Sequence, residues 1–88
     1  VKFVSAPCRT SAAYEVKPDK NLRLILDDVA KKLSNEGYIP VVVTSHIAVF
    51  KKEYELTIFP SGRILIKKIE EKEIADRIAR EIYEVLLE

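Results

Sequence analysis

Residues 54–59 and 63–69 are two β-rich runs separated only by Pro60, Ser61 and Gly62, and a charged, helix-like tail follows at once. A loop this short needs one residue at positive φ, which glycine adopts without steric cost, so the segment reads as a hairpin feeding a helix. The hairpin then sets a parity. Successive strand residues point to opposite faces, so if Leu56, Ile58, Ile64 and Ile66 face a core, then Thr57, Phe59, Arg63, Leu65 and Lys67 lie on the other side. That second face is half apolar, as a surface that meets a partner is.

Upstream, residues 1–6 are short and β-prone and end at Pro7, which predicts a strand, whereas residues 9–17 carry little periodicity and read mostly as loop. Pro18, Asp19, Lys20 and Asn21 supply helix-start chemistry, with Asp19 or Asn21 available to cap free N–H groups. Leu22, Ile25, Leu26, Val29 and Leu33 follow at helical spacing, and Gly37 gives a stop, so the first helix is expected over residues 20–35. Between residues 38 and 69, breaks near 44–46, 52–53 and 60–62 divide β-branched and aromatic residues into four strands. The last helix is expected from about Glu70, with Ile74, Ile78, Ile82 and Val85 on one stripe. Glu73 with Arg77, Asp76 with Arg80 and Arg80 with Glu84 would pair outside it. The expected architecture is a single α+β domain over residues 1–88, a curved antiparallel sheet with two helices on one face, in the order β-α-β-β-β-β-α.

Composition narrows function. The 88 residues include 15 basic and 14 acidic side chains, a net charge of +1, which argues against nonspecific polyanion binding as the main property. No apolar run is long enough to span a membrane and no leader-like apolar stretch opens the chain, so a cytoplasmic location is expected. Met and Trp are absent and Lys, Arg, Glu and Ile abundant, a balance that points to a thermophilic archaeon. One cysteine, Cys8, and one histidine, His46, provide neither an internal disulfide nor a Cys/His zinc site.

The sequence Leu56-Thr57-Ile58-Phe59-Pro60-Ser61-Gly62-Arg63-Ile64-Leu65-Ile66 resembles the hairpin of one repeat of the TATA-box-binding-protein fold, in which a strand ends in Phe, a small residue, Ser-Gly, a basic residue and an apolar strand. The resemblance implies that Phe59 occupies the position of a wedge phenylalanine for the DNA minor groove, and that Ile39, before Pro40, stands at a second wedge position. That family joins two repeats in one chain. A single repeat would need a homodimer to form the same saddle. A similar hairpin occurs in small domains following adenylyltransferases that activate sulfur carriers, so the motif implies a fold more directly than a ligand.

Each candidate residue also has a plainer role. Phe59 could pack under a neighbouring loop, Arg63 and Lys67 could serve solubility and strand separation, and Cys8 could be a small packed hydrophobe. Arg9 beside Cys8 would lower the thiol pKa and favour sulfur transfer. His46 lies beside Thr44 and Ser45 without an orienting acid, so it reads as a turn residue, and Glu70, Glu71 and Glu73 suit the positive end of a helix.

The sequence therefore leads us to expect a non-enzymatic module, without cofactor or metal, that uses its outer sheet face for self-association or protein binding through Phe59, Arg63, Leu65, Lys67, Ile39 and Thr57. The alternatives are a homodimeric nucleic-acid saddle and a thiol or sulfur-transfer accessory using Cys8 and Arg9.

Overall fold

The computed structural model describes residues 2–7 and 13–87. Its elements are β1 (Phe3–Pro7), β2 (Ala13–Pro18), α1 (Leu26–Asn35), β3 (Ile39–Val43), β4 (Ala48–Lys51), β5 (Glu55–Ile58), β6 (Ile64–Lys67) and α2 (Lys72–Leu86). All neighbouring strands are antiparallel, in the sheet order β1-β2-β6-β5-β4-β3. Both helices pack on one face. The hairpin parity holds: Leu56, Ile58, Ile64 and Ile66 are buried together with Val29 and Leu33 of α1 and Ile78 and Ile82 of α2.

One strand was not expected. Residues 9–17 read as loop, yet β2 lies between β1 and β6, giving the order β-β-α-β-β-β-β-α. Its sequence alternates, with Tyr14 and Val16 buried and Glu15 and Lys17 turned outward, but only two inward apolar positions are too few to stand out. The strand is stabilised by its place in the sheet, where Tyr14 faces Ile66 and Val16 faces Ile64.

The first helix also starts later than residue 20. Ile25 stands at its N-cap with no side-chain capping bond, so neither Asp19 nor Asn21 caps it. The reason lies in competing hydrogen bonds. The Leu22 N–H donates to the Ser61 carbonyl (2.8 Å) and the Leu24 N–H to the Pro60 carbonyl (2.9 Å), which holds this segment extended against the β5–β6 turn. Leu22 and Leu24 thereby pack against the core at strand-like spacing. The helix end agrees with expectation: Gly37 (φ 91°) donates to Ser34, and Tyr38 donates to Leu33, a Schellman motif that satisfies two terminal carbonyls.

Helix α2 begins at Lys72 and buries Ala75, Ile78, Ala79, Ile82, Tyr83 and Leu86, with Ile74 and Val85 at the margins. Its ion pairs are Lys72–Asp76 (2.9 Å) and Arg77–Glu81 (3.4 Å), in place of the three expected. Asp76 is drawn elsewhere because the Ser5 hydroxyl donates to Oδ1 and the Lys72 ammonium to Oδ2, tying α2 to edge strand β1. These bonds, Ser5 first and Lys72 second, hold the Asp76 carboxyl below its ordinary 3.8. A carboxyl whose pKa is depressed by folding contributes stability above its unfolded value and loses it as pH falls through the lower folded value. Asp76→Asn should therefore flatten the dependence of urea stability on pH below 3.8.

The buried Tyr83 hydroxyl donates to the Gly62 carbonyl (2.6 Å), and burial raises its pKa well above the ordinary 10.0. Tyr83→Phe leaves that carbonyl without its partner, and a loss of about 1–2 kcal/mol is expected in urea unfolding. The sign at alkaline pH is also fixed. Above pH 10.0 the unfolded phenol ionises while the folded one stays neutral, so wild-type stability falls as pH rises and that contribution is absent from the Phe variant.

Candidate interaction surface

The sheet face opposite the helices can be read row by row from the strand register. Across its middle stand Ala6, Glu15, Leu65, Thr57, Val49 and Val42, each opposite the next. Toward one end lies a charged row: Lys67 pairs with Glu55 at 2.7 Å, Glu55 stands opposite Lys51, and Lys51 stands opposite Ile39. Toward the other end are Val4 opposite Lys17, and Arg63 beside Phe59. The half of the middle row on β6 to β3 is thus apolar apart from the Thr57 hydroxyl. Its ends are charged.

The six residues expected to meet a partner lie on this side of the sheet, but they differ in availability. Phe59 is half-buried, with the Arg63 guanidinium 4.7 Å from its ring centroid and its N–H donating to the Arg63 carbonyl. Arg63 Nε also lies 2.6 Å from Glu15 Oε2, although its N–H is not aimed at that oxygen, so the contact is ionic rather than a hydrogen bond. Glu15 meets Lys17 at 3.3 Å as well. The two cations expected to orient a partner, Arg63 and Lys67, are therefore already neutralised by carboxylates on neighbouring strands.

Thr57 is 9% exposed, so a partner would meet its neighbours before it. Leu65 is half-buried at the centre of the face. Ile39 is 66% exposed on edge strand β3, separated from Leu65 by β4 and β5, so one contact to both must cross most of the sheet. Cys8 and Arg9 lie outside the described residues. His46 sits in the β3–β4 turn, where the Thr44 hydroxyl accepts the N–H groups of His46 (3.1 Å) and Ile47 (3.0 Å), and its ring lies 3.4 Å from Ser45 Oγ. That is turn chemistry.

Several residues of this face escaped the sequence reading. Glu15 and Lys17 belong to the unrecognised β2. Val42 (43% exposed) falls in a continuous Val41-Val42-Val43 run that gives no parity, and a bulge between Pro40 and Val42 further obscures it. Val49 could have been found by extending the hairpin parity one strand further, which would also have placed Lys51 on this face.

An α+β domain with one centrally apolar sheet face that no helix among the described residues covers is the class these observations define. The chain matches no protein-family model, no curated protein and no solved structure.

Proposed function

We propose that this chain is a non-catalytic interaction module that docks a protein on the outer face of its sheet. The observation that carries the reading is the apolar middle row, with Val49 and Val42 side by side on β4 and β3, Leu65 on β6 across Thr57 from them, and both helices packed on the other face. The turn Phe59-Pro60-Ser61-Gly62-Arg63 supports a finer reading as a single-repeat relative of the TATA-box-binding-protein fold, with β1 added at the edge beyond β2. Pairing of Arg63 and Lys67 with Glu15 and Glu55 favours a protein partner over a phosphate backbone, because each phosphate contact would first have to displace a carboxylate.

The test is solution mass by light scattering, for wild type and Leu65→Asp, alone and with AT-rich and random duplex DNA. A two-chain mass that reverts to one chain in Leu65→Asp supports a second copy on this face. A one-chain mass indifferent to DNA supports a different protein partner. Duplex binding that weakens with salt and disappears in Phe59→Ala would replace this reading with the nucleic-acid saddle.

A further inference from the structure

Where the charged row leaves the sheet, the β4–β5 connection and the end of β6 line an open groove of about 350 Å³, with Lys51, Lys52, Lys67 and Lys68 beside Glu53 and Glu55. This is where the positive charge of the chain collects. Of its 15 basic and 14 acidic residues, four and two line the groove, leaving 11 against 12 elsewhere. Two of the four lysines are committed: Lys67 to Glu55, and Lys52 to the Glu36 carbonyl (3.1 Å) and the Tyr38 ring (4.9 Å). Lys51 and Lys68 make no ion pair among the described residues.

Lys68 has a second peculiarity. It is the one non-glycine residue at positive φ (61°) among the described residues. A residue with a Cβ is disfavoured there, and glycine would hold the same backbone at less cost. The chain nevertheless places a cation at that bend, on the rim of the groove.

The groove opens beside the apolar row. Rows on one face of a strand are two residues apart, about 7 Å. A segment lying across this end of the sheet therefore meets Lys51 and Lys68 on one flank and Val42, Val49 and Leu65 on the other. Ile39, opposite Lys51, adds an apolar side chain at the end of the charged row.

Resting on the reading of the outer face as a docking surface, we propose that the groove and the adjoining row bind a segment of another protein that carries carboxylates among apolar side chains, the carboxylates on Lys51 and Lys68. Charge selects this occupant. Two copies of this chain set face to face would oppose surfaces that each carry Lys17, Lys51, Arg63 and Lys67 against Glu15 and Glu55, and like charges in apposition disfavour that pairing. A nucleic acid would bring dense phosphate against Glu53 and Glu55 and leave the apolar row unused.

The probe is a fluorescein-labelled peptide of glutamate and valine in alternation, compared by anisotropy with its lysine–valine counterpart and with duplex DNA. The glutamate peptide should bind, the lysine peptide should not, and the double reversal Lys51→Glu with Lys68→Glu should weaken binding at least about tenfold, equivalent to about 1.4 kcal/mol. Lys68→Gly separates charge from backbone: thermal stability should rise while peptide affinity falls. Val42→Asp tests the face itself. If reversal of the lysines has no effect while Val42→Asp removes binding, the groove inference is overturned and the face reading stands. If Val42→Asp has no effect while the reversals remove binding, the face reading falls and the partner is held by charge alone. Equal binding of both peptides, tighter binding of DNA, no binding of the glutamate peptide, or a two-chain mass of the free protein would each overturn the inference.

Discussion

Gly62→Ala should lower the stability of this domain by about 2–4 kcal/mol, a sum of backbone strain at positive φ and overpacking. Gly62 has φ 94°, and a Cβ built there would lie 2.8 Å from Leu22 Cδ1, 3.0 Å from Leu22 Cγ and 3.1 Å from Pro18 Cγ. Leu22 is a flexible side chain, but its backbone is fixed by the bond to Ser61, so it has little room to retreat. The Gly62 carbonyl is at the same time the acceptor for Tyr83. One methyl group thus disturbs the hairpin turn, the segment before α1 and the inner face of α2 together. The measurement is urea unfolding of Gly62→Ala beside Leu22→Ala/Gly62→Ala. If the clash contributes, the second substitution restores part of the loss. A Gly62→Ala chain as stable as wild type would remove this account of the turn.

Phe50→Ala should cost about 3–5 kcal/mol, the range for deleting a fully buried aromatic. Phe50 is 0% exposed on β4, opposite Leu56, and belongs to the cluster joining the sheet to both helices. The site is walled by strands on either side, so collapse around the vacated volume is limited. For a domain of this size the loss approaches the whole stability of many natural domains. The variant should accordingly be unfolded or nearly so at moderate temperature by circular dichroism. Phe50→Leu, which keeps most of the volume, should retain a cooperative transition and separate cavity formation from a general intolerance of change.

The hairpin was legible because its information is local: a glycine at the turn and apolar residues two apart on either side define both the loop and the faces, and Leu56, Ile58, Ile64 and Ile66 are buried as that pattern requires. Gly37 was legible for the same reason. The start of α1 was not. Leu22, Ile25, Leu26 and Val29 fit a helix equally well, and what holds Leu22 and Leu24 extended is a pair of carbonyls at Pro60 and Ser61, far along the chain. Strand β2 was hidden likewise, since its stability comes from neighbours on both sides rather than from Tyr14 and Val16 alone.

The candidate surface follows the same division. Phe59, Leu65 and Thr57 could be assigned to it from parity, but the neutralisation of Arg63 by Glu15 could not, because Glu15 belongs to the hidden strand. Lys67 and Glu55 were each visible in the sequence. Their pairing depended on the register of β5 and β6.

The position of β2 bears on how the domain assembles. Strands β3 to β6 form a meander of consecutive hairpins, each closing a short loop, whereas β2 must find β6 across the intervening helix and three strands, bringing Tyr14 to Ile66. Closing the longer loop loses more chain entropy and is expected to come later. The β1–β2 hairpin is then the last part to dock and the first to detach. In hydrogen exchange its amides should lose protection together, ahead of the meander, and each such opening would leave β6 as a temporary sheet edge.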